Sequence, residues 1–130
     1  ARNFLKNTET TPEDVVFVDT EAGIEHFGRG VEEGCDVVLM VLDPSYESIR
    51  LSEKISELAE KAGKPLYFIL NRADKIGTQL MTETVDKNRI LTSVPSNTEI
   101  FLAGFEGDEL KVELPEIESV ADFLISGIHS

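Results

Sequence analysis

The chain has 130 residues, one domain's worth, of which 41% are hydrophobic and 28% charged, an ordinary globular balance that argues against disorder. Its 12 Lys and Arg face 25 Asp and Glu, a net charge of −13, which excludes both a phosphate-backbone binder built on clustered basic residues and a domain that docks on anionic lipid. A single Cys forms neither an internal disulfide nor a Cys-cluster zinc site within one chain, the longest apolar run (37–42) is too short to span a bilayer, and no signal-peptide pattern opens the chain. A soluble cytoplasmic domain is expected, with no nucleic-acid and no membrane partner.

In chain order, residues 15–18 (Val-Val-Phe-Val) form an apolar run that ends in Asp19. Residues 37–42 (Val-Val-Leu-Met-Val-Leu) repeat the device and end in Asp43-Pro44, and residues 66–70 (Leu-Tyr-Phe-Ile-Leu) repeat it again and end in Asn71. A fourth run, Ile100-Phe101-Leu102-Ala103, ends in Gly104. Continuous rather than alternating apolar runs predict strands covered on both faces, as in a parallel sheet. Between them, Leu51, Ile55, Leu58 and Ala62 fall on one stripe of a 3.6-residue period. Pro44-Ser45 starts that helix and Gly63 stops it. Ile24, Phe27 and Val31 predict a shorter helix, and Leu80, Met81 and Val85 another. Ile117, Val120, Ala121, Leu124, Ile125 and Ile128 predict a final one entered through Pro115. Residues 104–116 read as an acidic loop. The alternation predicts an α/β fold, a doubly wound parallel sheet in three layers.

Ligands of open α/β sheets collect at the carboxyl ends of strands, which selects Asp19, Asp43, Asn71 and Gly104. Four hydrophobic residues followed by Asp19 have the Walker B form, in which a strand-terminal carboxylate holds Mg²⁺ beside a nucleoside triphosphate. An Asp can also simply be a strand's polar end, and both readings stay open. Gly23 could donate its N–H to a γ-phosphate, or could be a plain helix-start glycine. Asn71 can pair with a purine edge through its donor and acceptor, or can belong to a plain polar turn. Asp74 then either reads guanine N–H groups or caps the next helix. Cys35 reads as a small buried hydrophobe, and His26 and His129 have no neighbours at metal-ligand spacing.

The stretch Asp19-Thr20-Glu21-Ala22-Gly23-Ile24-Glu25-His26-Phe27-Gly28-Arg29-Gly30 resembles the carbon monoxide dehydrogenase nickel-insertion accessory ATPases. These belong to the deviant-Walker P-loop group, with the septum-site and partition ATPases and the nitrogenase iron protein. Asp43-Pro44-Ser45 and Asn71-Arg72 are similar to that family too, so the likeness covers residues 1–105. It implies a P-loop NTPase sheet, with Asp19 as catalytic acid and Mg ligand and residues 19–30 as the γ-phosphate switch. It places Asn71 against the adenine with Arg72 nearby. It implies ATP and Mg as cofactors, a homodimer, nickel or zinc held by ligands outside this chain, and carbon monoxide dehydrogenase as client. The family's Gly-rich phosphate loop and its Cys-x-Cys pair do not occur here. Residues 1–130 are therefore expected to be the carboxyl-terminal part of one P-loop ATPase domain, its P-loop strand missing.

Two alternatives stand beside this one. A GTP-dependent nickel metallochaperone of the hydrogenase or urease type is favoured by Asn71-x-x-Asp74, though Asp19 to Gly23 is one residue longer than the Asp-x-x-Gly of those GTPases. A non-catalytic, receiver-like α/β interaction domain is suggested by the strand-end acids alone. For the chain by itself, ATP phosphates would meet Asp19 without a lysine or an amide cradle. Like charges ~4 Å apart repel by about 4 kcal/mol at an effective dielectric near 20, so the 130 residues alone are expected to hydrolyse no ATP and to bind it very weakly. Isothermal calorimetry with Mg-ATP checks this, and micromolar affinity would contradict it.

Overall fold

The structure, a computed structural model, describes residues 14–20 and 34–128. Three parallel strands lie in the order β1-β2-β3: β1 at Val38–Leu42, β2 at Leu66–Asn71 and β3 at Ile90–Val94. Helix α1 (Tyr46–Ala62) connects β1 to β2, and α2 (Lys75–Thr84) with a short 3-10 turn (Lys87–Arg89) connects β2 to β3. Helices α3 (Thr98–Glu106) and α4 (Pro115–Ile128) follow. Val38 through Leu42 pair in unbroken register with Leu66 through Leu70, whereas the β2–β3 ladder has an irregularity between Phe68 and Ile69.

Side chains alternate across the sheet and define two apolar layers. On one face Leu42, Leu66, Phe68 and Leu70 pack with Ile55 and Ala59 of α1 and with Met81 and Val85 at the end of α2. On the other, Ile69 and Val94 pack with Val120 and Leu124 of α4, and Leu39 and Phe123 lie alongside. Tyr67 meets Phe123 edge to face, ring centroids 4.8 Å apart. Helices on both faces of a parallel sheet make this a three-layer α/β fold, consistent with part of a P-loop NTPase-type architecture.

Local chemistry explains the helix limits. Ser45 Oγ accepts the Ser48 N–H at 3.1 Å and starts α1. Gly63 stops it in the left-handed conformation (φ 67°), and the Lys64 N–H bonds to the Ala59 carbonyl at 2.9 Å. The buried line of α1 runs through Ser52, Ile55 and Ala59, one step round from the predicted stripe. Buried Ser52 is satisfied by donating to the Ile49 carbonyl at 2.7 Å.

Four expectations are corrected. Residues 15–18 form no strand: the segment 14–20 has no regular structure, and Phe17 is 71% exposed. A strand is held by its ladder, and no described strand pairs with this run. Asp19 consequently ends no strand. Residues 100–103 are helical, because Asn97 accepts the N–H groups of Glu99 and Ile100 and so nucleates α3. Gly104 therefore lies within that helix, not at a strand end. The third strand is instead Ile90–Val94, whose Thr92 and Ser93 interrupt the apolar run that would have announced it. The expected loop at 104–116 narrows to residues 107–114. The helix expected around Ile24, Phe27 and Val31 lies outside the described residues.

Leu70, fully buried in the central strand, is the best probe of this core. Leu70→Ala should lower unfolding free energy by about 2–5 kcal/mol, measured by the urea midpoint at unchanged m-value.

Candidate functional site at the carboxyl ends of the strands

Three parallel strands present their carboxyl ends on one side, and the residues that leave them are tied together. Asp43 follows β1, Asn71 ends β2, and Val94 ends β3. Arg72 reaches Asp43 with a fork, Nε to Oδ1 at 3.3 Å and Nη2 to Oδ2 at 2.6 Å. On the other side the Ala73 N–H donates to the Val94 carbonyl at 3.3 Å. The short segment 71–73 thus bridges both neighbouring strand ends.

Arg72 has φ +52°, the one non-glycine in the left-handed region among the described residues. An L side chain adopts this conformation only where its surroundings impose it. Here the imposing contacts are buried Ala73 on one side and the Asp43 carboxylate on the other. The hydrogen bond that Arg72 donates to Asp43, then the negative charge of that carboxylate, raise the Arg72 pKa above the ordinary guanidinium value. A raised value favours the charged form: any stability it confers is complete below the unfolded-state pKa and is lost only at more alkaline pH still. Arg72 is therefore a permanent cation at this end of the sheet.

Asp74 caps α2, its Oδ1 accepting the Gly77 N–H at 2.7 Å. Of the two roles open for it, capping is the one the geometry displays. Gly77 also packs against the β1–α1 turn, since a Cβ there would lie 3.1 Å from Pro44 Cγ. This contact sets α2 close to the loop that carries Asp43. Behind the strand ends, Thr78 and Ser93 share a hydroxyl–hydroxyl bond of 2.8 Å, which ties α2 to β3. Asn71 is half-buried, and its side-chain amide has no protein partner among the described residues.

Asn71 and Arg72, consecutive in the chain, stand at the end of β2, and Asp43 joins Arg72 there. Asp19 is exposed in its irregular segment, and Gly23 lies outside the described residues. No group of three or more His, Cys, Asp or Glu side chains among the described residues is placed to hold a metal ion. Nor is any helix among them long and apolar enough to cross a membrane. The Asp43–Arg72 fork joins positions 29 apart; sequence spacing carried no signal for it beyond both residues standing at strand ends.

An open parallel sheet with polar side chains gathered at its carboxyl ends is the arrangement at which α/β proteins commonly bind ligands. Over 123 residues the chain is 52% identical to an uncharacterized ATP-binding protein of Methanocaldococcus jannaschii, covering 95% of this chain and 49% of that protein. Over 108 residues it is 32% identical to the carbon monoxide dehydrogenase accessory protein CooC of Rhodospirillum rubrum, covering 82% of this chain and 41% of CooC. A shorter match, 42% over 52 residues, relates 40% of the chain to 12% of the tRNA modification GTPase MnmE of Campylobacter curvus. No protein-family profile and no solved structure matches. Relatives of this chain thus include an uncharacterized ATP-binding protein and the accessory protein CooC, and the chain spans about half the length of the first and less of CooC.

The cap at Asp74 gives a local test. Asp74→Ala should destabilise the domain by about 0.5–2 kcal/mol, and Asp74→Asn by less, because the amide oxygen still accepts the Gly77 N–H. Thermal unfolding followed by circular dichroism reads the difference.

Proposed function

We propose that residues 1–130 are the carboxyl-terminal part of an ATP-dependent, CooC-like metallochaperone that inserts nickel during carbon monoxide dehydrogenase maturation. The observation that carries this is the placement of Asn71 and Arg72 at the carboxyl ends of a parallel sheet, in a chain homologous to ATP-binding proteins. In this role Asn71 offers its amide to the purine, and Arg72 supplies positive charge beside it. The protein acts as a cytoplasmic homodimer, with nickel or zinc as cargo held by ligands outside this chain.

The likeness of residues 19–30 to the nickel-insertion ATPases, and not a strand end in this structure, is what supports Asp19 as the Walker B acid and Gly23 as the switch amide that responds to the γ-phosphate; the role requires residues 15–18 to pair as a strand in the whole protein. Mg²⁺ usually keeps several waters and takes one or two protein carboxylates together with substrate phosphates. The donor set here fits that use: Asp19 is a single exposed carboxylate, and no all-protein cage exists among the described residues. Asp19 would hold the ion, which when bound neutralises charge on the phosphates. The phosphate cradle itself must come from outside residues 1–130, since no Gly-rich loop with Lys occurs in them.

A GTP-dependent metallochaperone is the second reading, favoured by the Asn71-x-x-Asp74 spacing and the short likeness to a GTPase. The engagement of Asp74 with Gly77 weighs against it. A polypeptide that carries this sequence together with a phosphate loop should hydrolyse ATP in preference to GTP. Asp19→Asn should lower kcat roughly a hundredfold through lost charge stabilisation. Steady-state hydrolysis with both nucleotides decides, and an unchanged kcat in the variant removes Asp19 from the mechanism.

A further inference from the structure

We propose that Asp43 is a specificity-determining positioning residue: by gripping Arg72 with both carboxylate oxygens, it sets Asn71 and the guanidinium plane as one unit for recognising a purine base. This rests on the nucleotide reading above and adds a residue to it.

The fork is unlike the other ion pairs described. Arg50–Glu53 and Arg89–Asp86 each join residues three apart, at 3.6 Å, whereas Asp43–Arg72 joins two strand ends at 2.6 Å. The Arg72 and Asp43 side chains are 68% and 41% exposed. A pair so accessible to water adds little to stability, yet here it accompanies a backbone conformation that an L residue adopts at a cost. What the pair does achieve is orientation. Guanidinium is planar, and bonding through Nε and Nη2 fixes both its direction and the plane of the group. The N–H donors not engaged by Asp43 remain on a side chain that is largely exposed, suited to a heteroaromatic ring that stacks on the plane or accepts from its edge.

The adjacent residue extends this surface. Asn71 is half-buried with its amide unpartnered among the described residues, and Ala73 is locked to Val94. The peptide between Asn71 and Arg72 therefore has its freedom removed from both sides. Loss of Asp43 leaves the turn in place and releases the guanidinium plane from its fixed direction, which changes the surroundings of the adjoining Asn71 amide. Asp43 touches no base in this arrangement; it acts through Arg72.

The test has two arms. In ¹⁵N-labelled full chain, the Arg72 Nε–H signal should exchange with water slowly in the wild type and roughly tenfold faster in Asp43→Asn. The Asn71 side-chain amide should shift in the same variant. In a polypeptide that also carries the phosphate loop, competition between ATP and GTP should show the preference reduced by roughly tenfold in Asp43→Asn, the size of one lost oriented hydrogen bond. The ratio of ATP to ADP affinity, which reports the phosphate end, should stay within error. Arg72→Lys keeps the charge without the fork and should copy Asp43→Asn; it carries the test if the latter fails to fold. An Asn71 signal and a base preference unmoved in both variants overturn the proposal while leaving nucleotide binding in place. A wild type that binds neither ATP nor GTP overturns the nucleotide reading itself, and the proposal with it.

Discussion

The strand β2 has apolar cover on both faces and a hydrogen-bonded neighbour on each edge, and the rest of the molecule is arranged around that confinement. Leu66, Phe68 and Leu70 fill the layer under α1 and α2, while Ile69 faces α4. A strand held in this way has no slack at its end. Where it stops, at Asn71, the chain must turn between two fixed neighbours. Its next residues bond to Asp43 beyond β1 and to Val94 at the end of β3. The left-handed backbone of Arg72 is the local consequence. Packing in the core thereby determines geometry at the polar edge.

That edge is where the charge of the protein becomes informative. With a net charge of −13, most of the surface repels a polyanion. The Arg72–Asp43 pair at the strand ends carries no net charge and is thus a local exception to the general field. What it leaves available is the guanidinium donors that two oxygens do not engage. The chain's likeness to an uncharacterized ATP-binding protein and to CooC makes these strand ends the place to look for a ligand.

The sheet has a second feature of the same origin. β1 pairs only with β2, so its other edge carries main-chain donors and acceptors with no strand beside them among the described residues. The apolar run at 15–18, exposed and irregular, has the composition of a strand but no ladder. An unpaired strand edge and an exposed apolar run are both features that favour association. Residue composition creates the capacity to be a strand, and partners realise it.

Legibility in the sequence follows the same division. β1, β2, α1 and α4 were readable because each is specified locally, by a long apolar run or a 3.6-residue stripe bounded by Ser45, Gly63 or Pro115. β3 was not, because Thr92 and Ser93 dilute its apolar signal and its place depends on β2. The run at 100–103 is ambiguous in sequence because four apolar residues fit a strand or a helix equally, and the Asn97 cap decides. In the candidate site, Asn71 and Arg72 were visible as polar residues after a buried strand. By itself the sequence determined the α/β class, the acidic character and the strand-end residues, since these follow from composition and periodicity. Only the tertiary structure decided that Asp43 and Arg72 meet, that Asp74 caps α2, and that residues 15–18 stand outside the sheet. Each of those outcomes depends on which strands lie side by side, and pairing between segments far apart in the chain is not encoded by either segment alone.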